Sequence, residues 1–163
     1  MDSLHELSVD RFIKASPETV WRAFTDHATE WFTPRPWTTP TVDYDLRPGG
    51  RADVVMQSPE GERHEYRGVV LEVEPGRRLV TTGAFTEGWV PQPGEMNFVR
   101  IDTFEPEGDG ARYTARARHW DEKAMQTHRD MGFELGWGAA ADQLAEVAER
   151  LAAQETPPQE KPR

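Results

Sequence analysis

Cysteine is absent from the 163-residue sequence. Without thiols the chain forms no disulfide and offers no thiolate to a metal ion or to a covalent intermediate. Histidine and carboxylate are the metal ligands that remain, and none of the five histidines stands in an HxH or HxxxH pair. We therefore expect no metal site and no cofactor.

Long apolar runs and an excess of positive charge are absent as well. No stretch approaches the roughly 20 apolar residues that a membrane span needs, and the first residues show no cationic segment followed by an apolar run. Acidic residues outnumber basic ones by 29 to 19, which gives a formal charge of −10. Such a charge repels the phosphates of nucleic acids and anionic membrane surfaces. The composition predicts a cytoplasmic protein with no nucleic-acid partner and no membrane span, and it leaves a homodimer open.

Sequence motifs for nucleotide binding and catalysis are also missing. The glycines of "DYDLRPGGR", residues 43–51, are followed by the strand-like "RADVVMQS" rather than by the helix that a phosphate-binding loop needs. We predict that residues 48–50 turn one strand into the next. The "HRD" at residues 128–130 lacks the asparagine that kinases carry five residues later, where this chain has Leu135. No G-x-S-x-G nucleophile motif occurs.

A strand followed by two short helices is predicted near the start of the chain. Residues 8–15 carry apolar side chains on both faces, as a strand inside a sheet does. Ser16 is a suitable N-cap, and Pro17 fits the first position of the helix that follows. Apolar residues continue at helical spacing as far as Trp31, with a break near Asp26.

Strand-like runs separated by turn signals fill the middle of the chain. They are, in order, "TVDYDLR", "RADVVMQS", "EYRGVVLEVE", "RLVTTGAF", "MNFVRIDTFEP" and "ARYTARARHW". Most of the separators are short enough for antiparallel connections. Together with the first strand, these runs predict an antiparallel sheet of about seven strands.

A long amphipathic helix is predicted from near Asp121 to about Ala153, with apolar residues at steps of three and four. Three glycines weaken its first half, "DEKAMQTHRDMGFELGWG", but permit close approach to a neighbour. The proline-rich residues 155–163 are predicted to be a disordered tail. The sequence thus predicts one α+β domain over residues 1–154, in which a curved antiparallel sheet wraps around the C-terminal helix.

Tryptophan is frequent, with six residues in the chain. Trp37 and Trp89 lie in proline-containing loops, where no core strand or helix requires them. Two interpretations are open: each indole covers the core, or the two loops flank the mouth of a concave apolar pocket. In the second case Trp120, at the end of the last strand, and Trp137, on the helix, belong to the interior.

The order of these segments resembles a known superfamily. The resemblance is carried by "SPETVWRAFTD" after the first strand, by "DLRPGGRADVVMQSPEGE" and "YRGVVLEVEPGRRLVTT", and by "GFELGWGAAADQL" in the last helix. Over about residues 8–153 the chain resembles the SRPBCC (START-like, helix-grip) superfamily. Within it, the chain is similar to the bacterial homologues of the C-terminal domain of the activator of the heat-shock protein 90 ATPase. The resemblance implies a sheet that grips a long helix and encloses a cavity open at one end.

Three functions are compatible with that resemblance. In the first, a small hydrophobic or aromatic molecule, lipid-like or polyketide-like, binds in the cavity. In the second, the chain is a protein-interaction or stress-response module similar to the chaperone activator. In the third, it is a cyclase-like or hydrolase-like enzyme in which Arg100, His128 or a cavity carboxylate is the acid–base group. We favour the first over the other two.

The predicted site belongs to the first of these functions, and its partner is a small apolar molecule. The predicted ligand-binding residues are Trp37, Met56, Tyr66, Trp89, Phe98, Trp120, His128, Met131 and Trp137. Trp37 and Trp89 are expected at the rim. Which strand face lines the cavity stays open, because several strands carry apolar residues on both faces.

Overall fold

The computed structural model describes residues 4–155. The chain begins with β1 (His5–Ile13), α1 (Pro17–Asp26) and α2 (Ala28–Trp31). It continues with β2 (Thr38–Tyr44), β3 (Ala52–Gln57), β4 (Arg63–Tyr66), β5 (Val69–Glu74) and β6 (Arg78–Thr82). A small hairpin of β7 (Phe85–Thr86) and β8 (Val90–Pro91) precedes the long strands β9 (Phe98–Glu107) and β10 (Gly110–His119). The described chain ends with α3 (Glu122–Asp130) and α4 (Phe133–Glu155).

The two short helices after β1 form where they are predicted. The Ser16 side chain caps α1 by accepting a hydrogen bond from the Thr19 amide at 3.1 Å, and Pro17 occupies the first helical turn. These are the residue types that satisfy and pre-organise a helix N-terminus. A single non-helical residue, His27, separates α1 from α2, so the break lies at the predicted place.

The strands form two main antiparallel sheets. Five strands follow the order β1-β10-β9-β6-β5, and β2-β3-β4 form a second sheet. The sheets are joined at the turn before β3, where an isolated bridge pairs Arg51 with Val69. Beside it, the Gly49 amide donates to the Val70 carbonyl at 2.7 Å, and the Val70 amide donates to the Gly50 carbonyl at 2.9 Å. The predicted α+β helix-grip architecture is therefore confirmed, with its curved antiparallel sheet divided into these parts.

The glycine pair at residues 49–50 makes the predicted turn between β2 and β3, which are antiparallel neighbours. Gly49 adopts a φ of 83°, a conformation that glycine reaches without steric cost. A Cβ atom at Gly50 would stand 2.1 Å from the Asp45 carbonyl oxygen. The turn therefore needs glycine at both positions, one for its backbone angle and one for space.

Residues 65–74 form two strands, whereas the sequence predicts one. β4 ends at Tyr66 in the smaller sheet, and β5 begins at Val69 in the larger one. Gly68 lies at the crossing, where an added Cβ atom would stand 2.4 Å from the Thr82 carbonyl oxygen. The crossing coincides with a change of composition, since β4 is the polar RHEY and β5 the apolar VVLEVE.

The C-terminal helix is also divided, although the sequence predicts one helix from near Asp121. Asp121 does cap the N-terminus of α3, since its side chain accepts from the Ala124 amide at 2.8 Å. The chain then turns at Gly132, whose φ of 93° interrupts the helix before α4 begins at Phe133. Of the predicted disordered tail, Glu155 ends α4 and the other residues lie outside the described part of the chain.

The hydrophobic core lies where α1 and the second half of α4 pack against the five-stranded sheet. The ring of Phe24 in α1 contacts those of Phe104 in β9 and Trp31 in α2, with centroids 5.3 Å and 4.8 Å away. Leu144 and Ala148 of α4 are fully buried beside them. Burying one large apolar side chain stabilises a fold by about 1.5–3 kcal/mol. The core between α1, the second half of α4 and the five-stranded sheet therefore contributes much of the stability of the domain.

Replacing Gly50 by alanine is expected to lower the free energy of unfolding by more than about 1 kcal/mol, because the new methyl group collides with the Asp45 carbonyl. Urea denaturation measures the change. The matched control is Gly108→Asn, at a φ of 54° with no atom near its Cβ position, a conformation that asparagine tolerates. Equal stability of Gly50→Ala and the unmodified chain would contradict the steric role of Gly50.

Candidate functional site

A cavity of about 960 Å³ lies between the first half of α4 and the concave faces of the sheets. Helix α4 contributes Gly136, Trp137, Ala140 and Ala141 to its wall. The strands contribute apolar and polar side chains, among them Val54, Met56, Phe98, Arg100, Tyr113 and Ala115. The volume falls within the range of small-molecule pockets in proteins.

Small side chains on α4 keep this volume open. Positions 136, 137, 140 and 141 recur with helical spacing, so they share the face that α4 turns to the cavity. Apart from Trp137, that face carries only glycine and alanine. An added Cβ atom at Gly136 would meet no atom within 4 Å. Since Ala115 of the facing sheet is small as well, neither wall fills the space between them.

An ion pair between Arg100 and Asp102 stands at the sheet side of the cavity. The Arg100 Nε atom donates to Asp102 Oδ2 at 2.8 Å, and its Nη2 atom donates to Oδ1 at 3.1 Å. The Tyr113 hydroxyl donates to the same Oδ1 at 2.6 Å. The Asp102 side chain is 1% exposed. Both carboxylate oxygens are therefore occupied, and Asp102 orients Arg100 and Tyr113 rather than offering a free carboxylate to the cavity.

The Arg100 guanidinium also packs on aromatic rings. Its central carbon lies 4.4 Å from the Trp137 ring centroid and 5.1 Å from that of Phe32. These contacts leave its Nη1 atom without a hydrogen-bond partner among the described residues. Burial lowers the pKa of Arg100, but the negative charge of Asp102 and the nearby Tyr113 raise this pKa by more. Arg100 is therefore a permanent cation held over the Trp137 ring.

Two tyrosines share this part of the cavity. Burial raises the pKa of both Tyr44 and Tyr113, so both phenols keep their protons at neutral pH. Tyr113 donates its proton to Asp102. The Tyr44 hydroxyl has no hydrogen-bond partner among residues 4–155, and it is not sealed from solvent. Tyr44 therefore presents a free O–H donor to the cavity that it lines.

A histidine pair forms another part of the wall. The Nε2 atom of His119 lies 2.8 Å from the Nδ1 atom of His128, and His119 Nδ1 lies 3.0 Å from the His5 carbonyl oxygen. A carbonyl only accepts, so His119 donates through Nδ1 and, when neutral, accepts through Nε2. His128 must then donate through its own Nδ1. Its Nε2 atom is left with a free lone pair.

His128 is neutral at physiological pH. Burial, the neighbouring His119 and the positive charge of Arg100 lower the pKa of His128 to about 4. Its ring also contacts the rings of Phe98 and Trp137, with centroids 4.9 Å and 5.7 Å away. The surroundings of His128 therefore fix both its tautomer and its charge.

Six of the nine predicted site residues line the cavity, namely Met56, Tyr66, Phe98, His128, Met131 and Trp137. Tyr66 and Met131 are 56% and 71% exposed, which places them at its mouth. Trp137, Phe98 and His128 lie deeper and contact one another. That these residues bind a ligand stays a prediction.

The other three predicted residues, all tryptophans, are not among the residues that line the cavity. The Trp37 ring stacks near His64, with centroids 5.4 Å apart. Trp89 contacts Phe85 and lies over Gly49, so it covers the turn between β2 and β3. Trp120 borders a smaller depression of about 230 Å³, which adjoins the cavity because the two share Gln92, Gly94 and Asn97. The residues that line the cavity therefore include neither Trp37 and Trp89, which are predicted at its rim, nor Trp120, which is predicted in its interior.

The polar residues of the cavity are only partly evident in the sequence. The sequence analysis names Arg100 and His128 as candidate functional residues, but it does not single out Tyr44 or Tyr113. In β10, "GARYTARARH", small or aromatic residues alternate with arginine and threonine, and Tyr113 shares the buried parity of Ala111 and Ala115. That alternation could have placed Tyr113 inside the sheet. Tyr44 carries no comparable signal.

Over residues 4–155 no group of three or more histidine, aspartate or glutamate side chains is arranged to hold a metal ion. In the same range, none of the helices has the length and apolar character that crossing a membrane requires.

Comparison with protein families identifies this architecture. The model of the family described as "Activator of Hsp90 ATPase homolog 1-like protein" matches residues 14–149. The chain belongs to this family. The match extends from the end of β1 into α4, so it includes both sheets and the cavity wall. A search of curated proteins found no match.

Solved structures share the fold of this family member. A protein from Nitrosomonas europaea is 34% identical with a TM-score of 0.86, and the match covers 94% of this chain and 99% of that one. A protein from Mycobacterium smegmatis is 22% identical with a TM-score of 0.73, over 98% and 99% of the two chains. The AHSA1 protein from Silicibacter pomeroyi is 22% identical with a TM-score of 0.64, over 92% and 99%. The last two likenesses show the fold alone.

The Asp102→Asn variant is expected to lose about 3–5 kcal/mol of unfolding free energy, because Arg100 keeps its buried charge and loses its counterion. Chemical denaturation measures the loss. The matched control is Asp142→Asn, which breaks the exposed pair of Arg11 and Asp142 and should cost less than about 1 kcal/mol. Similar losses for the two variants would contradict the structural role of the Arg100–Asp102 pair.

The low pKa of His128 predicts how stability depends on pH. Between its ordinary value of 6.5 and its folded value of about 4, the unfolded chain binds a proton that the folded chain does not. His128 therefore lowers the free energy of unfolding as the pH falls through that window, and it has no such effect above it. Urea denaturation of the unmodified chain and of His128→Asn measures the difference at each pH. We expect the advantage of the unmodified chain to shrink from pH 7 to pH 4, and a constant difference would exclude this titration.

Proposed function

We propose that the protein binds a small aromatic or apolar molecule in the cavity between the sheets and α4. The observation that carries the proposal is the open volume of about 960 Å³, large enough for a ligand of several rings. Protein interiors are otherwise packed as densely as organic crystals. A volume of this size, connected to the surface at Tyr66 and Met131, supports a binding role.

The chemistry of the wall suits an aromatic ligand. The rings of Trp137 and Phe98 lie 5.8 Å apart at a tilt of 55°, and both border the open space. Such rings contact a flat apolar molecule through large, rigid surfaces. Most of the remaining wall on α4 is glycine and alanine, which exposes the helix backbone but adds no charge. Apolar contact therefore supplies most of the binding energy in this proposal.

Two other functions stay open as predictions. A protein-interaction module similar to the chaperone activator has no need for an unfilled interior, and the open cavity therefore supports ligand binding over that role. A cyclase-like or hydrolase-like enzyme needs an available acid–base group. Asp102 is fully engaged by Arg100 and Tyr113, which weakens its candidacy as that group.

Filling the cavity tests the proposal. We expect 2-ethylnaphthalene to bind the unmodified chain saturably with one molecule per chain. The Gly136→Phe variant places a phenyl ring in the open space and should weaken this binding by at least about tenfold. Titration calorimetry or ligand-observed NMR measures the dissociation constant.

The control for this experiment is Gln154→Phe, which adds the same ring to an exposed position near the end of α4. Its affinity for 2-ethylnaphthalene should match that of the unmodified chain. Thermal unfolding of both variants checks that each is folded. Unchanged binding in a folded Gly136→Phe variant would place the ligand outside this cavity and overturn the proposal.

A further inference from the structure

Helix α3 is a short segment of the cavity wall that lies between two changes of chain direction. Before it, Asp121 is extended, with φ −151° and ψ 172°, and after it Gly132 turns the chain with a φ of 93°. Six of the nine residues of α3 are exposed to solvent. Its inward face consists of Ala124, Met125 and His128. The helix therefore buries little apolar surface for its length.

A single side-chain hydrogen bond joins α3 to the sheet. The His128 Nδ1 atom donates to His119 Nε2 at 2.8 Å, and His119 in turn donates to the His5 carbonyl at 3.0 Å. Over residues 4–155, no other side chain of α3 forms a hydrogen bond or an ion pair with the rest of the domain. We call the hydrogen bond between His119 and His128 the latch.

The latch reaches the cavity through one of its two residues. His128 borders the open space, as does Met131, the residue that follows α3 at the mouth, whereas His119 is not among the lining residues. The His128 ring contacts those of Phe98 and Phe133, with centroids 4.9 Å and 5.1 Å away. Moving α3 outward would remove His128 from the wall and widen the mouth beside Met131.

The rest of the domain can stay folded while α3 moves. The strands pair within their sheets, and α4 continues into the core around Leu144. Opening α3 exchanges the latch for hydrogen bonds to water at a small net cost, whereas unfolding the core exposes many large apolar side chains. Local openings occur at segments with few buried apolar contacts. Helix α3 is such a segment.

We propose that α3 is a lid that turns about Asp121 and Gly132 to admit the ligand, and that the latch keeps it shut. An open lid lets a ligand enter and leave by the same path. Weakening the latch therefore changes the rates of binding and release more than it changes the affinity. The step of ligand entry rests on the proposed ligand-binding function, whereas the opening of α3 is testable without a ligand.

A thiol can report on the opening, because the chain has no cysteine of its own. Ala124→Cys places one thiol on the inward face of α3, where the alanine is 6% exposed, and Ala23→Cys places one in the core, where the alanine is fully buried. The rate of labelling by N-ethylmaleimide is measured by mass spectrometry, relative to each chain unfolded in urea. We expect Ala124→Cys to react at least about tenfold faster than Ala23→Cys.

Substitutions at His119 separate opening of the lid from static exposure of the thiol. His119→Phe keeps a ring but removes the acceptor of the latch, and His119→Gln keeps a polar group near the position of Nε2. We expect His119→Phe to speed the labelling of Ala124→Cys by about threefold or more and to speed that of Ala23→Cys less. His119→Gln should stay close to the unmodified histidine. Met125→Ala, which shortens the largest apolar side chain of the inward face, should act in the same direction and serves if His119→Phe does not fold.

Stopped-flow fluorescence with 2-ethylnaphthalene tests the role of the lid in ligand entry. We expect His119→Phe to raise the association and dissociation rate constants together, each by about threefold or more, and to leave Kd within about twofold. The matched control is Arg129→Ala on the exposed face of α3, which should leave both rate constants unchanged. A residue that only shaped the wall would change Kd through the dissociation rate constant alone.

The outcomes separate this inference from the proposed function. Labelling of Ala124→Cys that is as slow as that of Ala23→Cys, or that neither His119→Phe nor Met125→Ala accelerates, would overturn the lid. Faster labelling with unchanged association and dissociation rate constants would place ligand entry elsewhere and overturn the gating role. If 2-ethylnaphthalene does not bind the unmodified chain, the proposed function fails, and the labelling rates still decide whether α3 opens.

Discussion

The cavity depends on one constraint, the small side chains that α4 carries beside Trp137 on its inner face. Gly136, Ala140 and Ala141 present almost nothing toward the sheets, and Ala115 faces them with a single methyl group. Close packing is the rule inside proteins, and a void of this size forgoes many favourable contacts. The fold tolerates the void because its other end is a dense core around Phe24. The second half of α4 therefore packs into the core, and its first half lines the cavity.

The polar end of the cavity is organised by the ion pair of Arg100 and Asp102. The two residues are separated by one position in β9, so their side chains project from the same face of the sheet. Asp102 fixes the guanidinium of Arg100 and the hydroxyl of Tyr113 in place. Arg100 then packs over the Trp137 ring and contributes to the low pKa of His128. Burying an ion pair costs desolvation free energy. In this protein the pair leaves the cavity wall with balanced charges and with hydrogen-bond donors in fixed positions.

Local sequence patterns predict most of the helices and strands correctly. They predict less well where the chain leaves one sheet for another or where a helix breaks. The cap at Ser16, the turn at residues 48–50 and the helical spacing near Leu144 follow from short-range chemistry, and all three are present as predicted. The crossing at Gly68 and the helix break at Gly132 were missed. At both points a glycine permits a change of direction, and the neighbouring elements select the path that the chain takes.

The sequence by itself determined the α+β class, the order of helices and strands, and the family, because these depend on periodicity, capping and turn residues that lie close together in the chain. Only the tertiary structure decided which side chains meet at the cavity. Tyr44, Arg100 and His128 come from β2, β9 and α3, and they border one space because of strand register and the curvature between the two sheets. The same geometry leaves Trp37, Trp89 and Trp120 outside the set of residues that line it. Register and curvature are set by packing over the whole domain, which no short stretch of residues encodes.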